Sequence, residues 1–161
     1  MRNAFLLNIA ILVVCLSCCQ NGSGCRINSD DIDSVCIDYW RWDKGHRYHV
    51  VLDKNKGYIS RCVIDGDSVT IPLELPSDDV DKIIVYVTKV YIEKCDTPPY
   101  VKKQAERMLY RMPERMVTTI SAEGHCIADT FHYPTITEYK YVYSDHFKKL
   151  LNILSELTDN Y

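Results

Sequence analysis

Several features that would assign a chemistry on sight are missing from these 161 residues. No GxSxG elbow, HExxH pair, Walker loop or dinucleotide fingerprint occurs, so the motifs that announce many hydrolases, zinc peptidases and nucleotide-binding enzymes are absent. Downstream of residue 18 there is no CxxC pair, which leaves zinc ribbons and thioredoxin-like redox sites without support. Lys and Arg are scattered, and no basic stripe is interleaved with aromatics. Nucleic acid is therefore not expected as a partner, because phosphate binding needs concentrated positive charge. No internal repeat is visible, and no apolar run reaches the ~20 residues that span a bilayer.

What is present fits one ordinary domain. Hydrophobic residues make up 47% and charged residues 25%, the balance of a globular chain and not of a disordered one. Tyrosine is in excess, with twelve copies against three Phe and two Trp. It brings apolar area with a polar handle and suits half-buried sheet faces and recognition surfaces alike.

The N-terminus carries the most specific signal. Arg2 precedes an apolar stretch from residue 4 to residue 16 that only Asn8 interrupts, and Ser17 places a small side chain before Cys18. Charge, apolar run and small residue in that order form a secretory leader. Leu16-Ser17-Cys18 resembles the lipobox of bacterial lipoproteins, in the form with serine before the cysteine that is common in the Bacteroidota. The resemblance covers the leader only, and Cys15 stands where the family usually has Leu. It implies a signal peptide over residues 1–17, cleavage before Cys18, and a thioether from that thiol to diacylglycerol, with Cys19 as the alternative acceptor. Without Arg2 the mature chain would hold 18 basic against 22 acidic residues, a net charge of −4. Residues 18–30 then read as a flexible tether, since residues 20–24 include two glycines and no apolar side chain. The implied address is the cell envelope, on the outer membrane, with residues 31–161 in the periplasm or at the surface. A conventionally secreted protein is the alternative.

Within residues 31–161, Val35, Ile37 and Tyr39 alternate with polar or bulky neighbours, the period of a half-buried strand. Further strands are expected at residues 48–52, 58–64 and 69–73. Residues 83–92 are rich in strand-favouring β-branched side chains. Yet Val80, Ile83, Ile84, Val87 and Tyr91 share one helical face behind cap-forming Ser77, Asp78 and Asp79, which favours a helix. Pro98-Pro99 opens a second helix with Val101, Ala105, Met108, Leu109 and Met112 on one face, and Pro113 should end it. Strands are expected again at residues 117–121, 125–131 and 136–143. Ser144 then caps a helix that carries Phe147, Leu150, Leu151, Leu154 and Leu157. The order predicts an α+β fold, an antiparallel sheet with helices packed on one face and a C-terminal helix.

Candidate chemistry is sparse. With Cys18 lipidated, six cysteines remain, which allow fifteen full pairings without selecting any; one or two bridges at most are expected. His46 with His49, and His125 with Cys126 and His132, hold ligand or nucleophile chemistry, but adjacent residues of a strand point to opposite faces. No catalytic residue, metal site or cofactor is expected. Aromatic rows are the candidate binding surface: Trp40 with Trp42, and Tyr139 with Tyr141 and Tyr143, placed to stack on a glycan or grip a protein, or else simply to pack the core. The reading is a lipid-anchored, non-catalytic binding module. The alternatives are a periplasmic inhibitor or immunity protein against a toxin or hydrolase, and a small Cys/His envelope enzyme.

Overall fold

A computed structural model describes residues 27–41, 43–63, 72–113, 116–125, 127–134 and 145–159. The leader and Cys18, Cys19, Cys25, Trp42, Cys126, Tyr139, Tyr141 and Tyr143 lie outside them, as do the expected strand at residues 136–143 and most of the one at residues 69–73.

The architecture is α+β. Strands β1 (Ile32–Arg41), β2 (His46–Asp53), β3 (Lys56–Val63), β4 (Leu73–Glu74), β5 (Val117–Gly124) and β6 (Ala128–Pro134) form one sheet in the order β4-β3-β2-β1-β5-β6. Every pairing is antiparallel. Helices α1 (Ser77–Asp96) and α2 (Pro99–Leu109) fall between β4 and β5, and α3 (Asp145–Asp159) ends the chain. Among the described residues no helix is long and apolar enough to cross a membrane.

Alternation decides which sheet face is covered. Val35, Ile37 and Tyr39 of β1 meet Tyr48, Val50 and Leu52 of β2, Ile59 of β3, and Ile120 and Ala122 of β5, all buried on one side. A register shift between Ile32 and Ser34 inserts a bulge, which lets Ile32 and Val35 face the same core despite their odd spacing. Val80, Ile83, Ile84, Val87 and Val90 of α1, and Phe147, Leu150, Leu151, Leu154 and Leu157 of α3, close that side. For α1, burial of one helical face outweighs the strand propensity of its β-branched residues. Its N-cap is Pro76, with no side-chain cap bond, so Asp78 and Asp79 serve as first-turn charges favoured by the helix dipole.

Two glycines are set by close approach. A Cβ on Gly57 would stand 2.6 Å from Leu52 Cδ2 and 2.8 Å from Val80 Cγ2, and one on Gly124 would lie 1.9 Å from the Asp31 carbonyl oxygen. Gly124 therefore stays in β5, and the connection to β6 moves to residues 125–127 instead of the expected Ala122-Glu123-Gly124. His125 donates its N–H to the Asp31 carbonyl at 2.8 Å. The folded unit also reaches further back than the sequence suggests. Ile27 is buried, and the Asp31 carboxylate accepts the Asn28 N–H at 2.8 Å.

Arg41 joins sheet to helix. Its guanidinium is buried and donates to the Ser155 carbonyl, the Ser155 and Thr158 hydroxyls, Asp43 and Asp159. Lys44 Nζ reaches the Thr158 carbonyl at 3.0 Å. The last turn of α3 has no basic residue of its own, so the two cations supply from outside what its open carbonyls require.

Candidate functional site

The opposite sheet face has no helix over it among the described residues, and the strand register assembles its surface row by row. Tyr58, Val51, Cys36, Ser121 and Thr130 make one row across β3, β2, β1, β5 and β6. Ser60, His49, Asp38, Thr119 and His132 make the next, and Arg47 lies opposite Trp40 beyond it. Val51 and Tyr58 are each 39% exposed, large apolar side chains left in solvent.

Most polar groups on this face hold one another. Asp38 Oδ1 lies 3.0 Å from both Arg47 Nη2 and His49 Nδ1. Thr119 meets His132 Nδ1 at 3.1 Å, and the Ser121 and Thr130 hydroxyls are 2.9 Å apart. The Arg47 guanidinium sits over the Trp40 ring, 5.7 Å from its centre. Such ladders fix side-chain positions across the strands, and the Asp38–Arg47 pair offsets its own charge.

Cys36, His49 and Asp38 lie together in a way that resembles a nucleophile, a base and an orienting acid, but the geometry does not suit that use. The Cys36 sulfur is 3.9 Å from His49 Nδ1 and 3.8 Å from Nε2. Near-equal distances place it off the lone-pair axis of both nitrogens, so neither is aligned to take the thiol proton. Burial pushes the Cys36 thiol up, and Asp38 adds to this while Arg47 opposes it. A thiol held in its protonated form is a poor nucleophile.

The other histidines do not converge. His46 turns to the core side, edge-on to Tyr48 at 6.4 Å, while His49 is on the open side. His49 and His132 share a row but are separated by β1 and β5, roughly 14 Å at ordinary strand spacing. His125 is exposed in the β5–β6 connection and not in a strand as expected. Among the described residues no three His, Cys, Asp or Glu side chains gather as metal ligands. Cys36 and Cys95 are both free thiols.

Of the aromatic rows singled out in the sequence, the described structure holds Trp40, half-buried on the open face. Tyr58, Val51, Arg47 and the hydroxyl–imidazole ladders that accompany it were not singled out. Alternation of period two marks them as facing away from the core, but only the strand order shows that they meet.

A second concavity lies at the far edge of the sheet. A cleft of about 550 Å³ runs between α2 and β6, walled by Val101, Ala105 and Leu109 on the helix and by Thr130, Phe131, His132 and Tyr133 on the strand. Helix α2 has no buried residue: the face predicted from Val101, Ala105, Met108 and Leu109 looks into the cleft or is only half covered. The chain matches no protein-family model, no curated protein and no solved structure.

Proposed function

We propose that this chain is a lipid-anchored protein of the bacterial cell envelope whose α+β domain works by binding, with no catalytic step. The observation that carries the binding role is the uncovered sheet face. A six-stranded sheet that, among the described residues, is packed on one side only presents a broad, ordered surface, and here it combines Trp40, Val51 and Tyr58 with fixed hydroxyls, imidazoles and one ion pair. Apolar side chains left in solvent within a polar frame suit a macromolecular partner, protein or glycan. The tryptophan–arginine pair is of the kind that carries binding energy.

The anchor rests on the leader and on Leu16-Ser17-Cys18, with Cys18 as the acylated residue, the outer membrane as its site, and the domain held in the periplasm or at the surface. The absence of catalysis is supported by the off-axis Cys36–His49 contact and by the raised thiol. Nucleic acid is disfavoured as a partner, since Arg47, the cation over the Trp40 ring, is already held by Asp38.

A site-specific cross-linker tests the binding role. With p-benzoylphenylalanine at Val51, illumination of intact cells should give a discrete adduct, and the same probe at Lys149 on the exposed side of α3 should not. Adducts of equal yield from both positions, or none from position 51, would contradict the assignment of this face.

A further inference from the structure

We propose that the outer face of α2 is a second contact site, which lies against the phosphate headgroups of an anionic bilayer. This contact is separate from the open sheet face and rests on the lipid anchor, which holds α2 close enough to a bilayer for a small surface to engage it.

Helix α2 and the two residues after it hold Lys102, Lys103, Arg107 and Arg111 against one carboxylate, Glu106, in a chain of net charge −3. Along the sequence these cations read as scattered, but the helical period gathers them. Tyr100, Lys103, Gln104, Arg107, Tyr110 and Arg111 fall within an arc of roughly 120°, and all six are exposed. Tyr110 keeps helical backbone angles, and the Arg111 N–H closes the last turn on the Met108 carbonyl at 3.1 Å, so the row continues past Leu109. Val101, Ala105, Leu109 and Glu106 lie on the other side, along the cleft. Lys102 is spent on the Cys95 carbonyl at 3.1 Å. Among the described residues no ion pair or hydrogen bond engages the side chains of Lys103, Arg107 or Arg111.

The tyrosines supply the second observation. Tyr110 is 93% and Tyr100 74% exposed, above every other large apolar side chain among the described residues, and they stand at the two ends of the cationic row. Tyrosine settles at the headgroup level of a bilayer, with its ring toward the acyl chains and its hydroxyl in water, while cations beside it meet the phosphates. A nucleic acid fits less well, because the rest of the chain is acidic and repels an extended polyanion, whereas a bilayer touches this one face. Each cation near an anionic leaflet adds roughly fivefold in affinity. Three give on the order of 100-fold, too little to hold a free protein but enough for one already tethered. The reach is also sufficient. Ser29 and Asp30 stand beside Asp81, Ile84 and Val85 in the first half of α1, so α2 begins about 20 Å along the helix axis from the start of the fold. Cys18 precedes Ile27 by nine residues, a connection that spans up to about 30 Å.

The test uses the full-length chain, reconstituted from detergent into vesicles of phosphatidylcholine alone or with about one third phosphatidylglycerol, and collected by flotation. Amide hydrogen exchange, read by mass spectrometry, should slow at least about threefold over residues 99–112 in the anionic vesicles only, with α3 unchanged. The protection should vanish in 1 M NaCl, where the screening length falls to about 3 Å. It should also vanish when Lys103→Gln, Arg107→Gln and Arg111→Gln are combined, three exposed changes that keep the helical circular dichroism. Equal exchange in the two kinds of vesicle, or protection that survives the salt or the triple variant, would overturn the proposal. So would equal protection on uncharged vesicles by single-stranded DNA or by inorganic phosphate, which would assign the face to a nucleic acid or to a soluble anion. Palmitate on the same sample separates this contact from the anchor. Unprotected α2 in an acylated chain overturns the contact and leaves the anchor, and protected α2 in a chain without palmitate does the reverse.

Discussion

Among the charged side chains, Arg41 is drawn inside, 7% exposed and bonded at once to α3 and to Asp43. Replacing it with Met keeps the aliphatic stem but removes the donors that serve the Ser155 carbonyl and the Thr158 hydroxyl. Loss of one partner from a buried charged network costs about 3–5 kcal/mol. Because Asp43 and Asp159 are more than half exposed, Arg41→Met should fall below that, at roughly 2–3 kcal/mol. A urea midpoint that drops without a change in slope would show it.

The same cluster sets a pH dependence. The Arg41 guanidinium lowers the Asp43 carboxyl from the ordinary 3.8 to about 2, and Lys44, then Arg41, lower Asp159. A folded value below the unfolded one contributes stability that is complete above the unfolded value and is lost as pH falls through the folded one. Stability should therefore decline between about pH 4 and pH 2, and in Asp43→Asn the decline should be smaller. Solvent screening holds the Asp43 share to about 1 kcal/mol or less. Equal declines in the two proteins would count against the pairing.

Cys36 bears on the absence of catalysis. With its thiol pushed up by burial and by Asp38, alkylation by iodoacetamide at pH 7.5 should be slower than for free cysteine. Peptide mapping by mass spectrometry reads that rate at Cys36, and a rate above that of free cysteine would reopen the enzyme reading.

At the scale of elements, the helices divide by how much they bury. Leu154 in α3 is fully buried, and Leu154→Ala should cost about 2–5 kcal/mol. Leu109 in α2 is only half-buried, so Leu109→Ala should cost under about 1 kcal/mol. Denaturant titrations of both variants measure the contrast, and similar losses would mean that α2 is part of the core.

This division was partly legible in the sequence. Spacing alone identified the buried apolar residues of α3, because five large apolar side chains at helical intervals can bury only against one surface, but not Thr158, which is buried beside Arg41. For α1 the face was visible but β-branching argued the other way, and burial decided. Spacing overstated α2, whose apolar face has the right period but too little surface opposite it. The β5–β6 connection was misplaced because Gly124 reads as a turn residue. It serves instead to pass the Asp31 backbone, a contact across the sheet that no local pattern carries.

At the scale of the whole molecule, a sheet that the described helices cover on one side follows from strands that alternate and from two well-buried helices. The class of fold was thus accessible before the strand order. The open face was not, since Tyr58, Val51, Trp40 and Arg47 come from three strands and meet only through register. The proposed anchor stands apart from all of this, since it rests on a resemblance in the first eighteen residues, which lie outside the described ones.

Labelling cells with radioactive palmitate tests the central claim, a domain tethered through Cys18, most directly. The wild-type chain and Cys19→Ala should take up label and sediment with membranes, and Cys18→Ala should do neither. Label retained in Cys18→Ala, or none in the wild type, would contradict the account.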